Sequence, residues 1–153
     1  MEGCSSVLYK HPKGRDRFME SGSIIDLSKY RFEKALSNIV VSKTLFASGN
    51  YGAALNRAYY SAFDAMRAVN ALDGFDSSKH SGVISHFNQE YVKSGKFPPT
   101  TSAIIRKASM LREKSDYEDF YIPDMNETAD IISKVEIFLK DTKAYLQKLG
   151  IVE

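Results

Sequence analysis

The chain has 153 residues, of which 43% are hydrophobic and 26% are charged, and its formal net charge is +2. This length and composition are typical of one globular domain with its own core, and they exclude a disordered or fibrous protein. A net charge this small does not by itself indicate binding to nucleic acid or to a membrane surface. No apolar run approaches the roughly 20 residues that span a bilayer, and no apolar signal segment is present. We therefore expect a cytoplasmic protein with no membrane partner.

Residues 1–22 differ in composition from the rest of the chain and include the single cysteine, Cys4. They combine helix-breaking Gly and Pro residues with a small basic group: Lys10, Lys13, Arg15 and Arg17. We interpret 1–22 as a basic N-terminal extension and 23–153 as the folded domain. A solvated tail is favoured over a basic RNA-binding arm. One cysteine cannot form an internal disulfide, and no Cys/His spacing resembles a zinc site, so we expect no metal and no cofactor.

From about residue 26 onward, apolar residues recur at intervals of three and four, which predicts helices and no strand. Gly and Pro breaks divide the pattern into segments near 26–47, 51–72, 80–94, 100–115 and 124–149. Asp124 and Glu127 have the spacing of a capping box at the start of the last helix. Between the fourth and fifth segments, the aromatic stretch 116–124 is expected to pack across the bundle. The predicted fold is all-α, an antiparallel up-and-down bundle of four to five helices.

The second predicted helix contains an unusual stretch, Asn56 to Phe63, with the sequence NRAYYSAF. Arg57 shares a helix face with Tyr60 and Asp64, because these residues follow it by three and seven positions. A guanidinium and two phenols in a helix otherwise built from small and apolar residues need a partner for the charge. That partner is either a structural acid or a ligand.

Four fragments in this order together resemble the HEPN superfamily (higher eukaryotes and prokaryotes nucleotide-binding), in its small single-domain prokaryotic branch. They are Asn56 to Phe63, Lys79 to Phe87, Tyr91 to Gly95 and Leu111 to Asp119. The resemblance spans about residues 26–148. It implies a HEPN-like helical bundle that forms a homodimer and is one component of a toxin–antitoxin pair with a minimal nucleotidyltransferase.

The resemblance also implies a possible activity, because many HEPN proteins are metal-independent ribonucleases. Their site resembles an arginine followed, after four to six residues, by a histidine. This chain departs from that pattern. The three positions that would serve Arg57 hold Ala62, Phe63 and Asp64, and those that would serve Arg112 hold Tyr, Glu and Asp.

The residues themselves suggest one polar cluster with two interpretations. Arg57 and Tyr60 have the chemistry to bind a phosphate, and the alternative is a buried salt bridge from Arg57 to Asp116. Arg112 and Asp116 are spaced to pair along one helix, which would fix the following aromatic stretch. The sequence favours the structural interpretation for both arginines. The full candidate cluster is Asn56, Arg57, Tyr60, Asp64, Arg112, Asp116 and Tyr117.

His80 shares an apolar stripe with its neighbours, so its ring is predicted to point inward. A histidine of near-neutral pKa can act as a general base on a ribose hydroxyl while an arginine stabilises the transition state. His80 and Arg57 are therefore the candidate catalytic residues, although a packed structural histidine is the more common case. His86 falls on the polar side and is predicted to be solvated.

Three hypotheses remain open. The first is a HEPN-like module that binds a nucleotide, RNA or a nucleotidyltransferase-type partner and performs no chemistry. The first alternative is an atypical metal-independent ribonuclease with a composite Arg/His site. The second alternative is a structural homodimer without a ligand. The sequence does not decide whether the protein is an enzyme.

Overall fold

The computed structural model describes the backbone of residues 6–10 and 16–153 and the side chains of residues 22–153. A two-stranded antiparallel hairpin is followed by five helices within these residues. The strands are β1 (Ser6–Lys10) and β2 (Asp16–Glu20), and the helices are α1 (Ser21–Ala47), α2 (Tyr51–Asn70), α3 (His80–Phe87), α4 (Thr100–Tyr117) and α5 (Met125–Lys148). A 3₁₀ turn at Ala71–Asp73 extends α2, and a π-helical turn at Asn88–Val92 extends α3. The predicted all-α helical bundle is confirmed.

The hairpin corrects the prediction that the chain has no strand. Val7 pairs with Met19 and Tyr9 with Arg17 across the two strands. Each strand has only 5 residues, so its alternation is too short to stand out from an irregular segment. The buried hydrophobic residues among the described side chains run from Ile24 to Ile151. Cys4 and the side chains of the predicted basic group lie outside the described residues.

Helix α2 is the centre of the bundle and packs against α1, α3, α4 and α5. Its alanines at 54, 58, 62 and 65 have no exposed surface, so the neighbouring backbones can approach closely. Three buried hydroxyls hold α1 against α2, each donating to a carbonyl of the facing helix at 2.7 Å: Ser28 to Ala68, Ser42 to Ala54 and Ser61 to Ala35. These bonds satisfy polar groups that would otherwise be costly to bury.

The predicted start of the last helix is confirmed in atomic detail. The Asp124 side chain accepts a hydrogen bond of 2.7 Å from the backbone N–H of Glu127, so it caps α5. This bond satisfies one of the N–H groups that the first helical turn leaves without an acceptor.

The aromatic stretch between α4 and α5 does not pack across the bundle as the sequence predicts. Phe120 is fully exposed at 101%, Ile122 is 85% exposed and Tyr117 is 75% exposed. The aromatic part of the core is instead built by rings from other segments, including Phe87, Phe97 and Phe138.

In the described part of the chain, every helix is either too short or too polar to cross a lipid bilayer.

Candidate functional site

Helix α2 presents Arg57 and Tyr60 at the junction of α1, α2 and α4. Both side chains are partly buried, and the Arg57 Cζ lies 5.3 Å from the centre of the Tyr60 ring. Helix α1 ends at Ala47, and Gly49, with a φ of +82°, lies in the short connection from α1 to α2. A guanidinium that lies over a phenol ring gains cation–π stabilisation and has fewer accessible rotamers.

The Arg57 guanidinium is held by two amide oxygens. Its Nε and Nη2 atoms donate to Asn56 Oδ1 at 3.0 and 2.7 Å, and Nη1 donates to Asn38 Oδ1 at 3.1 Å. No ion pair joins Arg57 to a carboxylate among the described side chains. The suggested salt bridge from Arg57 to Asp116 is therefore absent, because Asn56 stands between them. An arginine has five N–H groups, so one on each terminal nitrogen remains for a ligand.

The amide groups of Asn38 and Asn56 extend this contact into a network across three helices. Asn38 Nδ2 donates to Asp64 Oδ2 at 2.9 Å, and Asn56 Nδ2 donates to Asp116 Oδ2 at 3.0 Å. Burial raises the pKa of the Asp64 carboxyl, against the opposing effects of nearby lysine and arginine charges and the Asn38 bond. The network thus links α1 through α2 to α4 and fixes the orientation of Arg57.

Arg112 lies in a cage of phenol rings at the end of α4. Its Cζ is 4.8 Å from the centre of the Tyr59 ring, 5.6 Å from Tyr60 and 5.8 Å from Tyr117. Asp116, four residues further on, is 3.5 Å from Nη1, which confirms the predicted pairing along the helix. The Nε atom is buried and has no hydrogen-bond partner among the described residues. Arg112 is 7% exposed, whereas Tyr117 is open to solvent.

His80 begins α3 and packs against the same two tyrosines. Its ring centre lies 5.9 Å from Tyr59, 5.8 Å from Tyr60 and 4.4 Å from Phe63, as expected for an inward ring. His80 Nδ1 and the Tyr59 hydroxyl are 3.1 Å apart. Burial lowers the pKa of His80, and the positive charges of Arg112 and Arg67 lower it further. Both effects favour the neutral form of the imidazole.

The two candidate catalytic residues share a neighbour but not a bond. Arg57 and His80 each contact the Tyr60 ring, and the described side chains contain no hydrogen bond from His80 to an arginine. Arg112 contributes to the lowered pKa of His80, and it contacts both tyrosines that contact His80. Arg112 is thus the arginine that the fold associates with His80.

An open groove of about 490 Å³ runs beside Arg57, and we call it the Arg57 groove. Its lining residues are Leu45, Gly52, Ala53, Asn56, Arg57, Ser115 and Asp116. A Cβ atom on Gly52 would lie 2.7 Å from Ser115 Oγ, so glycine permits the close approach of α2 to α4 here. Gly52 and Ala53 belong to the first turn of α2, whose N–H groups receive no hydrogen bond from the side chain of Asn50. Such N–H groups favour an anion.

Two features of this region escape sequence reasoning. Asn38 lies on α1, 19 residues before Arg57, and a lone asparagine on a helix carries no signal of its partner. His86 is not solvated as predicted, because it stacks on Phe75 with ring centres 3.9 Å apart and lies 2.9 Å from Asp73 Oδ2. Asp73 also accepts a 2.7 Å bond from Tyr91, so this second polar group joins α3 to the end of α2.

The arrangement has the chemistry of an anion site with a neighbouring neutral base. Arg57, the first turn of α2 and the partly exposed Tyr60 offer donors to a phosphate. His80 offers an imidazole whose ring packs against Tyr59 and Tyr60. The described residues hold no group of three His, Cys, Asp or Glu side chains placed to bind a metal ion.

Comparison with known proteins identifies relatives over most of the chain. It is 31% identical over 121 residues to a Methanocaldococcus jannaschii protein named "Putative toxin MJ0142", which covers 79% of this chain and 82% of that protein. A second protein of that organism, "Putative toxin MJ0605", is 32% identical over 76% of this chain and 87% of its own length. A Thermotoga maritima UPF0332 protein is 29% identical over 85% of this chain and 96% of its own length.

The model of the HEPN domain family matches residues 28–147, which include all of the polar network described above. This match covers well over half of the chain and agrees with the helical bundle and with the resemblance of the four sequence fragments. The chain belongs to the HEPN domain family.

Proposed function

We propose that this chain is the HEPN component of a toxin–antitoxin pair and that it binds the phosphate of a nucleotide or RNA in the Arg57 groove. One observation carries the binding proposal: among the described side chains, the Arg57 guanidinium donates to amide oxygens and forms no ion pair, and it lies beside an open groove. The toxin names of two relatives support the assignment to such a pair.

The Arg57 groove contains one group that attracts an anion, Arg57, and one that repels it, Asp116. Asp116 is the acidic residue in its wall, but this carboxylate accepts a bond from Asn56 and lies close to Arg112. The negative charge of Asp116 is therefore partly compensated. The positive charge of Arg57 has no such ion-pair partner among the described side chains. A phosphate bound to the two free N–H groups of Arg57 would also face the first turn of α2.

The assignment to a toxin–antitoxin pair implies that the chain has protein partners. We propose a homodimer that acts in the cytoplasm together with a nucleotidyltransferase-type protein. The support is the membership in the HEPN family and the names of the relatives.

Replacement of Arg57 by lysine tests the phosphate site, because lysine keeps the charge and removes the planar fork. Affinity for a single-stranded RNA oligonucleotide, and separately for ATP, would be measured by fluorescence and by the shift in melting temperature. We expect Arg57→Lys to weaken binding by about tenfold, the equivalent of about 1.4 kcal/mol. Arg106→Lys is the matched control, because Arg106 is an exposed arginine of α4 outside this groove. Equal affinity in both variants and the wild type, or no binding by any, would reject the site.

A second candidate function is a metal-independent ribonuclease. The specific observation in its favour is that His80, whose pKa is lowered, and Arg112 pack against the same tyrosine pair. A neutral imidazole can remove the proton of a ribose 2′-hydroxyl, which then attacks the adjacent phosphorus. An arginine, Arg112 or Arg57, would stabilise the negative charge of the transition state. The bond from phosphorus to the 5′-oxygen would break and that oxygen would take a proton from water, which leaves a 2′,3′-cyclic phosphate and a 5′-hydroxyl.

This activity is tested with total RNA in the presence of EDTA. Wild type, His80→Gln and Arg112→Lys would be compared, with His86→Gln as the control because His86 lies in the separate group with Asp73. We expect His80→Gln to reduce cleavage at least about 100-fold, the usual contribution of a general base. Absence of cleavage in the wild type, or unchanged cleavage in His80→Gln, would exclude this mechanism. A chain that neither binds nor cleaves would be a structural homodimer without a ligand.

A further inference from the structure

The segment between α4 and α5 holds apolar side chains out in solvent. We call residues 117–125 the acidic–aromatic loop. Tyr117, Phe120, Ile122 and Met125 are all at least half exposed, and Phe120 has no buried surface at all. Phe120 also has a φ of +62°, a conformation that is unfavourable for a bulky side chain. Backbone strain of this kind is found most often at binding and switch sites.

The loop is fixed at both ends. At its start, Tyr117 lies against Arg112 and the Glu118 N–H donates to the Lys114 carbonyl at 3.0 Å. At its end, Asp124 caps α5 at 2.7 Å. The exposed rings are therefore presented by anchored backbone, which lowers the entropy lost when a partner binds.

Charge decides what kind of partner fits. Residues 116–133 contain six acidic side chains and no Lys, Arg or His, although the chain as a whole has a net charge of +2. The six are Asp116, Glu118, Asp119, Asp124, Glu127 and Asp130. Of these, Asp116 and the last two already have basic neighbours, whereas Glu118, Asp119 and Asp124 form no ion pair among the described side chains. The loop would repel RNA phosphates and anionic lipid.

The same charges argue against self-association through this loop. At a two-fold axis a surface patch meets its own copy, so the unpaired acids of one protomer would face those of the other. Exposed aromatic residues with a charged rim are instead typical of the centre of a protein–protein contact. From this combination we infer that the acidic–aromatic loop binds a different protein, one with an apolar pocket for Phe120 and a rim of Lys and Arg.

The acidic–aromatic loop lies beside the Arg57 groove. Asp116, directly before the loop, lines the Arg57 groove, and Pro123 Cγ is 3.9 Å from the place where a Cβ on Gly52 would lie. A protein seated on the loop would therefore cover the mouth of the groove. This inference rests on the proposed function in one respect, the existence of a protein partner. It does not depend on the phosphate site, because residues 117–125 do not line the Arg57 groove.

Site-specific photo-cross-linking tests the inference in the full chain. The photoreactive residue p-benzoylphenylalanine replaces Phe120, and in the control it replaces Val40, which is 62% exposed on α1. The chains are expressed in the native host and irradiated, and adducts are mapped by mass spectrometry. We expect position 120, but not position 40, to form an adduct with a different protein at a peptide that contains or adjoins Lys and Arg. Adding Glu118→Lys and Asp119→Lys should reduce that adduct by about tenfold.

Each other outcome overturns the inference. An adduct with a second copy of the chain would assign the loop to the homodimer, and an adduct with RNA would contradict the charge argument. No adduct above the Val40 control, or an adduct insensitive to charge reversal, would also reject it. Circular dichroism of the variants shows whether they are folded. Binding of RNA and ATP by the purified chain is measured separately, so a failure of the groove proposal and a failure of the loop proposal give different results.

Discussion

Two arginines of α2 differ in how the structure satisfies their charge. Arg67 shares the buried carboxylate of Asp76 with Arg31, at N–O distances of 2.9 and 3.0 Å. Arg57, ten residues earlier, donates to two neutral amides, lies over a phenol ring and forms no ion pair with any described side chain. A charge that is paired internally holds helices together, whereas a charge that is only oriented by its neighbours is available to a ligand. This difference in partners is what separates the structural arginine from the candidate functional one.

The buried carboxylate gives the first prediction at this scale. Asp76→Asn keeps the shape of the side chain and removes the charge that two arginines share. Because the Asp76 side chain is 1% exposed, we expect a loss of about 3 kcal/mol in the free energy of unfolding by urea. Asp130→Asn is the control, because it removes an exposed pair with Lys134 on one helix and should cost about 0.5 kcal/mol or less. Similar losses in the two variants would show that Asp76 has no special structural role.

His80 gives a prediction about pH. Its pKa is lower in the folded chain than its ordinary value of about 6.5, so the unfolded chain binds more protons between the two values. The stability that depends on neutral His80 is complete above about pH 6.5 and is lost as the pH falls through the folded pKa. We expect the free energy of unfolding of His80→Gln to decline less than that of the wild type between pH 7 and pH 5. Parallel curves for the two proteins would contradict the assignment of a lowered pKa to His80.

At the scale of elements, the contact between α1 and α2 depends on small side chains. Ala35 on α1 and Ala58 and Ala62 on α2 are fully buried, and serine hydroxyls of both helices bond to carbonyls across the contact. This close packing brings Asn38 within reach of Arg57. The geometry of the candidate site is therefore set by the helix spacing as well as by the site residues.

Ala62→Leu tests this spacing. Three additional methyl or methine carbons have no room beside helices at this distance, so we expect a loss of about 1–3 kcal/mol in the free energy of unfolding. Ala103→Leu on α4 is the control, because Ala103 is exposed and leucine is also a good helix former. Its effect should lie within about 0.5 kcal/mol. If leucine at position 62 leaves the free energy of unfolding unchanged, the close spacing of α1 and α2 does not depend on a small side chain there.

At the scale of the whole molecule, the helical bundle carries a hydrophobic core of its own. The buried hydrophobic residues described for the chain all fall between 24 and 151. A chain that begins at Ser21 should therefore retain cooperative unfolding with a melting temperature within about 4 °C of the full chain. Differential scanning calorimetry of the two chains measures this. A collapse in cooperativity would place the domain boundary before residue 21.

Particular residues show how far sequence reasoning reaches. The five helices, the Asp124 cap and the inward ring of His80 follow from periodicity and capping chemistry, which are local in the chain. The loop at 117–125 is predicted wrongly, because its apolar residues look like core residues unless the competing rings are known. The partner of Arg57 is also missed, because Asn38 is on another helix and 19 residues away.

The sequence by itself determines that this protein is a helical bundle of the HEPN family, since helix periods and family fragments are properties of neighbouring residues. Only the tertiary structure decides that Arg57 is oriented by two amides without an ion pair, that Arg112 lies beside His80, and that Phe120 remains in solvent. The physical reason is the same in each case. Whether a charge or a ring is satisfied depends on groups that distant segments bring to it, and these contacts exist only once the helices have packed.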